Sequence, residues 1–370
     1  MRPHSVVLRW ARPVALIFLL AVFVAGAAGA DEHSHGSDSD WLVFLTGQAH
    51  RRSSEDLAPE DDYDPVSADI LYSHSSGHFR VLTETFAAAD ELDVERAQIG
   101  YEIGENTLLW GGRFHQPSSA WNIEHHHGQY LQTAITRPGI ELWEDEGGLI
   151  PQHIVGAFVE TRGALGDNAG LTLSAGAGLA PVIVGGQMVP IGLFHPNVGG
   201  YQASWSARVG LLPELLGDDS IGLVAARHSV GVRDAVDVSL LGATNVGLDV
   251  LGAFARLNPG KWHVQATVYD IEVRLSGLQL RHEQFGAGYL QVERQLPRAL
   301  TAFGRIESST KAGDSVYATL QRREFELRRG LGGLRWDFAK RQALTLELAH
   351  AATLAGRFNE ARLQWSGLLP

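Results

Sequence analysis

Apolar and polar residues exchange at every position along segment after segment of this chain, and a two-residue period is the mark of a β-strand with two distinct faces. Val66, Ala68, Ile70 and Tyr72 stand opposite Ser67, Asp69 and Ser73, and Ala97, Ile99, Tyr101 and Ile103 stand opposite Arg96, Gln98 and Glu102. After a turn at Gly104-Glu105-Asn106, Leu108, Trp110, Gly112 and Phe114 alternate with Leu109, Gly111 and Arg113, so the two runs read as a hairpin. The pattern returns over 171–177, 201–209, 263–269, 344–348 and 360–365. Roughly 14 to 17 such segments of about 8 to 12 residues can be counted, the length that crosses a bilayer when tilted.

The start of the chain differs. Arg2, Arg9 and Arg12 precede an apolar run from Val14 to Val24, followed by Ala25-Gly26-Ala27-Ala28-Gly29-Ala30. A basic region, a short apolar region and small residues make 1–30 a signal peptide, with cleavage expected after Ala30. Residues 31–40 read as a flexible, histidine-containing tail, which leaves 41–370 for the fold. No later stretch suits a spanning helix, because the longest uncharged one, Asn168 to Ala207, is broken by Pro181, Pro190, Pro196 and many glycines.

Composition narrows the classes. Cysteine is absent, which removes disulfides, thiolate metal sites and cysteine nucleophiles. The net charge is -12, and -15 once the three leader arginines go, with no basic block, so nucleic acid is not a partner. Arginine outnumbers lysine 27 to 3. A large soluble sandwich would alternate as well. The export signal, the small polar and glycine residues on one face, and aromatic residues near strand ends (Tyr101, Trp110, Tyr201, Trp262, Trp336, Trp365) favour a barrel with its apolar face in lipid. The expected fold is all-β, a transmembrane antiparallel β-barrel of about 16 strands.

Alternation fails between Phe114 and Ile154, too long a connection for an idle turn. Gly112-Arg113-Phe114-His115, Pro117, Trp121-Asn122, His126-His127-Gly128, Tyr130-Leu131-Gln132-Thr133, Arg137-Pro138, Glu144-Asp145, Gly147-Gly148 and Pro151 occur there. This run resembles the signature loop of porin-like outer-membrane β-barrels, distantly similar to phosphate-selective porins, and the likeness covers about 45 residues. It implies a Gram-negative outer-membrane location, a loop folded into the lumen to narrow the pore, and possible homotrimers. The family's terminal aromatic is replaced by Leu368-Leu369-Pro370, with Trp365 nearest.

Within this loop Glu141, Glu144, Asp145 and Glu146 place four acids in six residues, and lumen-facing arginines such as Arg96, Arg113 and Arg208 could face them. Opposed charges across a pore set a transverse field that selects solutes; the same residues could equally be salt bridges fixing loop to wall. His115, His125, His126, His127 and His153 offer imidazoles for zinc or copper, against the plainer role of hydrogen bonding. Cleavage after Ala30 would expose Asp31-Glu32-His33, whose amine, two amides and His33 ring make a square-planar copper chelate, unless the tail is simply solvated.

Motifs for a serine-hydrolase elbow, a phosphate loop or a zinc protease are absent, and no catalytic residue is assigned. The expected activity is passive diffusion of small hydrophilic solutes or ions through a channel in outer-membrane lipid, narrowed by the loop 115–151, with no cofactor required. The alternatives are a zinc- or copper-handling outer-membrane protein and an outer-membrane enzyme acting on lipid.

Overall fold

The computed structural model of the chain describes residues 37–54, 60–89, 91–125, 129–144, 146–193 and 198–369. The signal peptide expected at 1–30 lies outside them. The first strands are β1 (Ser37–Ser53), β2 (Glu60–Ser76), β3 (Phe79–Ala87), β4 (Leu92–Ile103), β5 (Thr107–His115), β6 (His153–Leu165) and β7 (Ala169–Leu179). A small hairpin, β8 (Val182–Val184) and β9 (Gln187–Val189), comes next. There follow β10 (Ala203–Leu212), β11 (Ser220–Val232), β12 (Ala243–Leu257), β13 (Trp262–Gly277), β14 (Arg281–Leu296), β15 (Leu300–Thr310), β16 (Glu326–Ala339), β17 (Gln342–Thr353) and β18 (Arg357–Leu369).

Apart from the β8–β9 hairpin, each strand pairs antiparallel with its neighbour, β7 passes to β10, and β18 returns to β1 with Leu45 opposite Gly367. The result is a closed barrel of 16 strands. Closure pairs every strand on both sides and leaves no edge, which a β-structure in lipid requires. Ser37 to Asp40, expected in the flexible tail, instead begin β1, because their backbone pairs with Ser73 to Ser76 of β2.

Turns at Gly77-His78, Gly104-Glu105-Asn106 and Lys340-Arg341 are short and share one end of the barrel, while the connections 116–152, 180–202, 233–242 and 311–325 share the other. Outward, Ile99, Leu223 and Ile306 are about two-thirds exposed, and such residues form an apolar belt that makes lipid the solvent. Trp41, Tyr101, Trp262 and Trp336 are exposed close to the short-turn end, and Trp205 near the other, as interfacial aromatics would be. Trp110 departs from that expectation: it points inward and its indole donates to Glu160 at 2.9 Å. Tyr201 precedes β10, and Trp365 donates to Gln342 at 3.4 Å.

The inner face carries the larger surprise. Val230 of β11, Leu248 of β12, Ile271 and Val273 of β13 and Phe285 of β14 are buried inside the barrel. They pack against Trp121, Ile140, Leu149, Ile183 and Tyr317 from the long connections, so part of the lumen is filled by a hydrophobic core. Short helices α1 (Ala120–His125), α2 (Ala235–Leu241) and α3 (Val316–Gln321) lie in these connections. The expectation that apolar faces look outward fails on β5, where Trp110 and Phe114 turn in; it holds over 263–269 of β13, where Val268 is exposed, but on β11–β14 much of the inner face is apolar as well. Lipid outside and plug inside both reward apolar residues there.

Several inner glycines make room for a neighbouring ring. A Cβ at Gly222 would lie 2.6 Å from the Phe254 ring and would clash with the Val209 carbonyl oxygen. Gly222→Ala is expected to destabilise the folded barrel by about 1–3 kcal/mol through overpacking, read as a lower urea midpoint in detergent micelles. An unchanged midpoint would show that β10 and β12 give way freely.

Candidate functional site

The described residues of 116–152 fold into the lumen as an irregular segment, and buried irregular backbone needs partners for its N–H and C=O groups. Wall side chains supply them. Arg305 on β15 donates to the carbonyls of Thr136 (2.8 Å) and Arg137 (3.0 Å) while its Nε binds Glu307 at 2.9 Å. Arg335 on β16 donates to the carbonyls of Tyr130 and Gln132, both at 2.7 Å. Glu347 on β17 accepts from the Ile135 amide (2.9 Å) and the Thr136 hydroxyl (2.6 Å), and Glu307 accepts from the Gly139 amide at 2.6 Å. From the apolar half, Tyr317 donates to the Leu149 carbonyl at 2.7 Å. The loop is held on both sides, by charge on one and by packing on the other.

Of the acids and arginines singled out from sequence, Glu141, Glu144, Arg96, Arg113 and Arg208 are inside the barrel, but they do not confront one another across a gap. Arg96 pairs with Glu84 of β3 at 2.5 Å, and Arg113 lies 3.3 Å from Asp93 and 3.6 Å from Glu95. Arg208 stacks over Phe254, 3.8 Å from the ring centroid. Glu141 accepts from Tyr269 at 2.6 Å and from Ser119, and Glu144 accepts from His153. Glu146 is exposed, and Asp145 lies outside the described residues. The reason is desolvation: a buried carboxylate is tolerated only with donors in hand, so each takes the nearest one. A ladder of charge does run along β16–β18 and β1. Arg329 contacts Glu360 at 3.0 Å, Arg362 contacts Glu360 at 2.7 Å, and His50 lies 3.0 Å from the same carboxylate.

Burial pushes Glu141 up to about 7, against the opposing hydrogen bonds from Ser119 and Tyr269. Burial also favours the neutral form of Glu144, but the His153 charge and the hydrogen bonds from His153 and the Gln152 amide outweigh it and hold that carboxyl below its ordinary value. Because the value for Glu141 is raised from 4.5, its contribution to loop docking is full below pH 4.5 and is lost as pH rises through about 7. The difference amounts to about 3 kcal/mol. Hydrogen exchange is expected to show loop amide protection falling over that interval in the wild type and staying level in Glu141→Gln. The same decline in both proteins would dismiss Glu141 as its source.

The histidines separate. His115 at the end of β5 and His153 at the start of β6 face each other with ring centroids 4.9 Å apart. Their nitrogens and a Glu95 carboxylate oxygen lie within 4.8 Å of one another, all three residues being buried. His125 goes elsewhere: its ring lies tilted against Trp121 with centroids 4.5 Å apart and its Nε2 lies 3.5 Å from Gln265, while burial lowers it to about 3 and keeps it neutral. His33, His126 and His127 lie outside the described residues. Sequence reasoning missed Glu95. The register slips there, Arg96 opposing Glu84 and Val94 opposing Thr85, so Glu95 is the extra residue of a β-bulge and is turned inward out of phase. The run Val94-Glu95-Arg96, in which alternation breaks, is the only trace of this in the sequence.

No family model matches the sequence, and no curated protein is similar to it in sequence. Solved structures do share the fold. In-vitro folded OmpT, an outer membrane protein of Vibrio cholerae, is similar with a TM-score of 0.57 at 12% identity, over 91% of this chain and 99% of its own. The outer membrane channel DcaP of Acinetobacter baumannii gives 0.57 at 12% identity, over 92% and 99%. OmpF of Salmonella typhi, solved in complex with daunomycin, gives 0.57 at 11% identity, over 92% and 100%. The fold is therefore that of the porin-like barrels of Gram-negative outer membranes.

Proposed function

We propose that this protein is an outer-membrane channel through which small hydrophilic solutes or ions diffuse passively, with the loop 115–151 setting the width. The observation that carries the reading is the division of the inner wall. β11–β14 are largely apolar and packed through Val230, Leu248, Ile271, Val273 and Phe285, with His228, Gln265, Thr267, Gln291 and Glu293 as buried polar exceptions, whereas β15–β18 present Arg305, Arg329, Arg335 and Arg362 with Glu307, Glu347 and Glu360. Charged residues on a barrel's inner wall suit a hydrated path, and the route we infer follows that half, between wall and loop. Selection would rest on diameter and lining charge, with no covalent step, catalytic residue or cofactor. Short turns would face the periplasm and the long connections the exterior. The fold is shared with channels such as DcaP, and Vibrio cholerae OmpT has been solved in a trimer form, which supports a homotrimer here.

Liposome swelling tests the reading. Vesicles containing the folded protein are expected to swell in pentoses and small amino acids and to resist large oligosaccharides. Absence of swelling in every solute, with the barrel shown to be folded by its heat-modifiable migration, would contradict it.

A further inference from the structure

At the root of the lumen loop three donors from three strands converge. Glu95 comes from the bulge of β4, His115 from the last residue of β5 and His153 from the first residue of β6. We propose that Glu95, His115 and His153 form a binding site for a borderline divalent metal ion, with zinc the first candidate. Two imidazoles and one carboxylate, all buried and with ligand atoms within 4.8 Å of one another, make the donor set of a three-residue zinc site with a fourth position for water. Two nitrogen donors disfavour calcium and magnesium, which take oxygen.

The surroundings match what such a site needs. His153 has both ring nitrogens beside carboxylates, Nδ1 at 2.8 Å from Glu144 and Nε2 at 2.8 Å from Glu95. Glu144 thereby fixes the ring through Nδ1 and leaves Nε2 aimed at the site, the arrangement in which an outer carboxylate orients a metal-bound histidine. Glu144 is itself held by the amides of Gln152 (2.6 Å) and His153 (2.8 Å). Trp143 covers both rings, its centroid 4.8 Å from His115 and 4.9 Å from His153, and keeps bulk water away. Arg113 is the competing cation, 3.6 Å from Glu95, but it lies nearer to Asp93 at 3.3 Å. When an ion binds, it replaces the hydrogen-bond proton between His153 Nε2 and Glu95, and that proton leaves to solvent. A bound ion would tie β4, β5 and β6 together where the loop departs, with Trp143 and Glu144 of the loop against it.

The test is calorimetric titration of Zn2+ into the full-length folded protein in detergent micelles. One equivalent of tight binding is expected to disappear in His115→Ala and in Glu95→Gln. It should weaken about 10- to 100-fold in Glu144→Gln, where only ring orientation suffers. His33→Ala and the double variant His126→Ala with His127→Ala should retain it. Zinc binding that is equal in the wild type and His115→Ala, or absent from the wild type, would overturn the proposal. Because a variant at a buried position can fail to fold, Co2+ loading of the unmodified protein gives a second readout. Intense visible bands of a four-coordinate ion, abolished by Zn2+, are expected, and the weak spectrum of a six-coordinate ion would contradict the site. Neither readout depends on whether the lumen conducts.

Discussion

Deleting residues 118–147 will raise the conductance of the barrel several-fold without unfolding it. The described residues among them lie in the lumen between the charged wall of β15–β18 and the largely apolar wall of β11–β14, so their removal clears the space between the two. The barrel does not depend on them for closure: β5 and β6 pair from Thr107 opposite Thr161 to His115 opposite His153, and β1 closes on β18. The exposed apolar wall left behind will lower thermal stability, because Trp121 and Ile140 no longer cover it. Single-channel recording of deleted and intact proteins, both checked by heat-modifiable migration, measures the change. Equal conductance would place the loop outside the solute path.

Arg305→Ala will undock the loop from the charged wall while leaving the strands paired. The Arg305 side chain is fully buried, donates to Thr136, Arg137, Glu307 and Gln291, and lies 5.4 Å from the Trp121 ring. Removing it strands a buried carboxylate and two loop carbonyls, and breaking a buried pair from one side costs about 3–5 kcal/mol. Arg305→Lys will recover only part of this, since an ammonium cannot reproduce the planar fork that spans two carbonyls and a carboxylate. The expected signature is noisy, enlarged conductance with rapid hydrogen exchange at 130–141 and unchanged protection of the strands. Loss of strand protection instead would make Arg305 a residue of barrel stability, not of loop docking.

How much of this can be read in the sequence depends on where the physics is local. Period two is imposed by strand geometry alone, so Ile99 and Tyr101 can be placed on one face of β4 and Gln98 on the other without any tertiary knowledge. Which solvent meets each face is not local. On β11 both Leu223, exposed to lipid, and Val224 and Val230, buried against the plug, are apolar, and no periodicity separates an outer bilayer from an inner core. The lumen loop stands out because alternation stops at Phe114, and it does fold inward. Its partners could not be read, because Arg305, Arg335 and Glu347 lie some 165 to 215 residues away and meet it only when the barrel closes. The same holds for the histidines: His115 and His153 meet because β5 and β6 are neighbours, His125 departs with α1, and Glu95 arrives through a bulge.

Recording from the purified, folded, unmodified protein in a planar bilayer shows whether the barrel conducts. Discrete conductance steps that are small for a 16-stranded barrel are expected, because the loop fills much of the lumen. A membrane that stays silent with the intact, folded protein would contradict the channel.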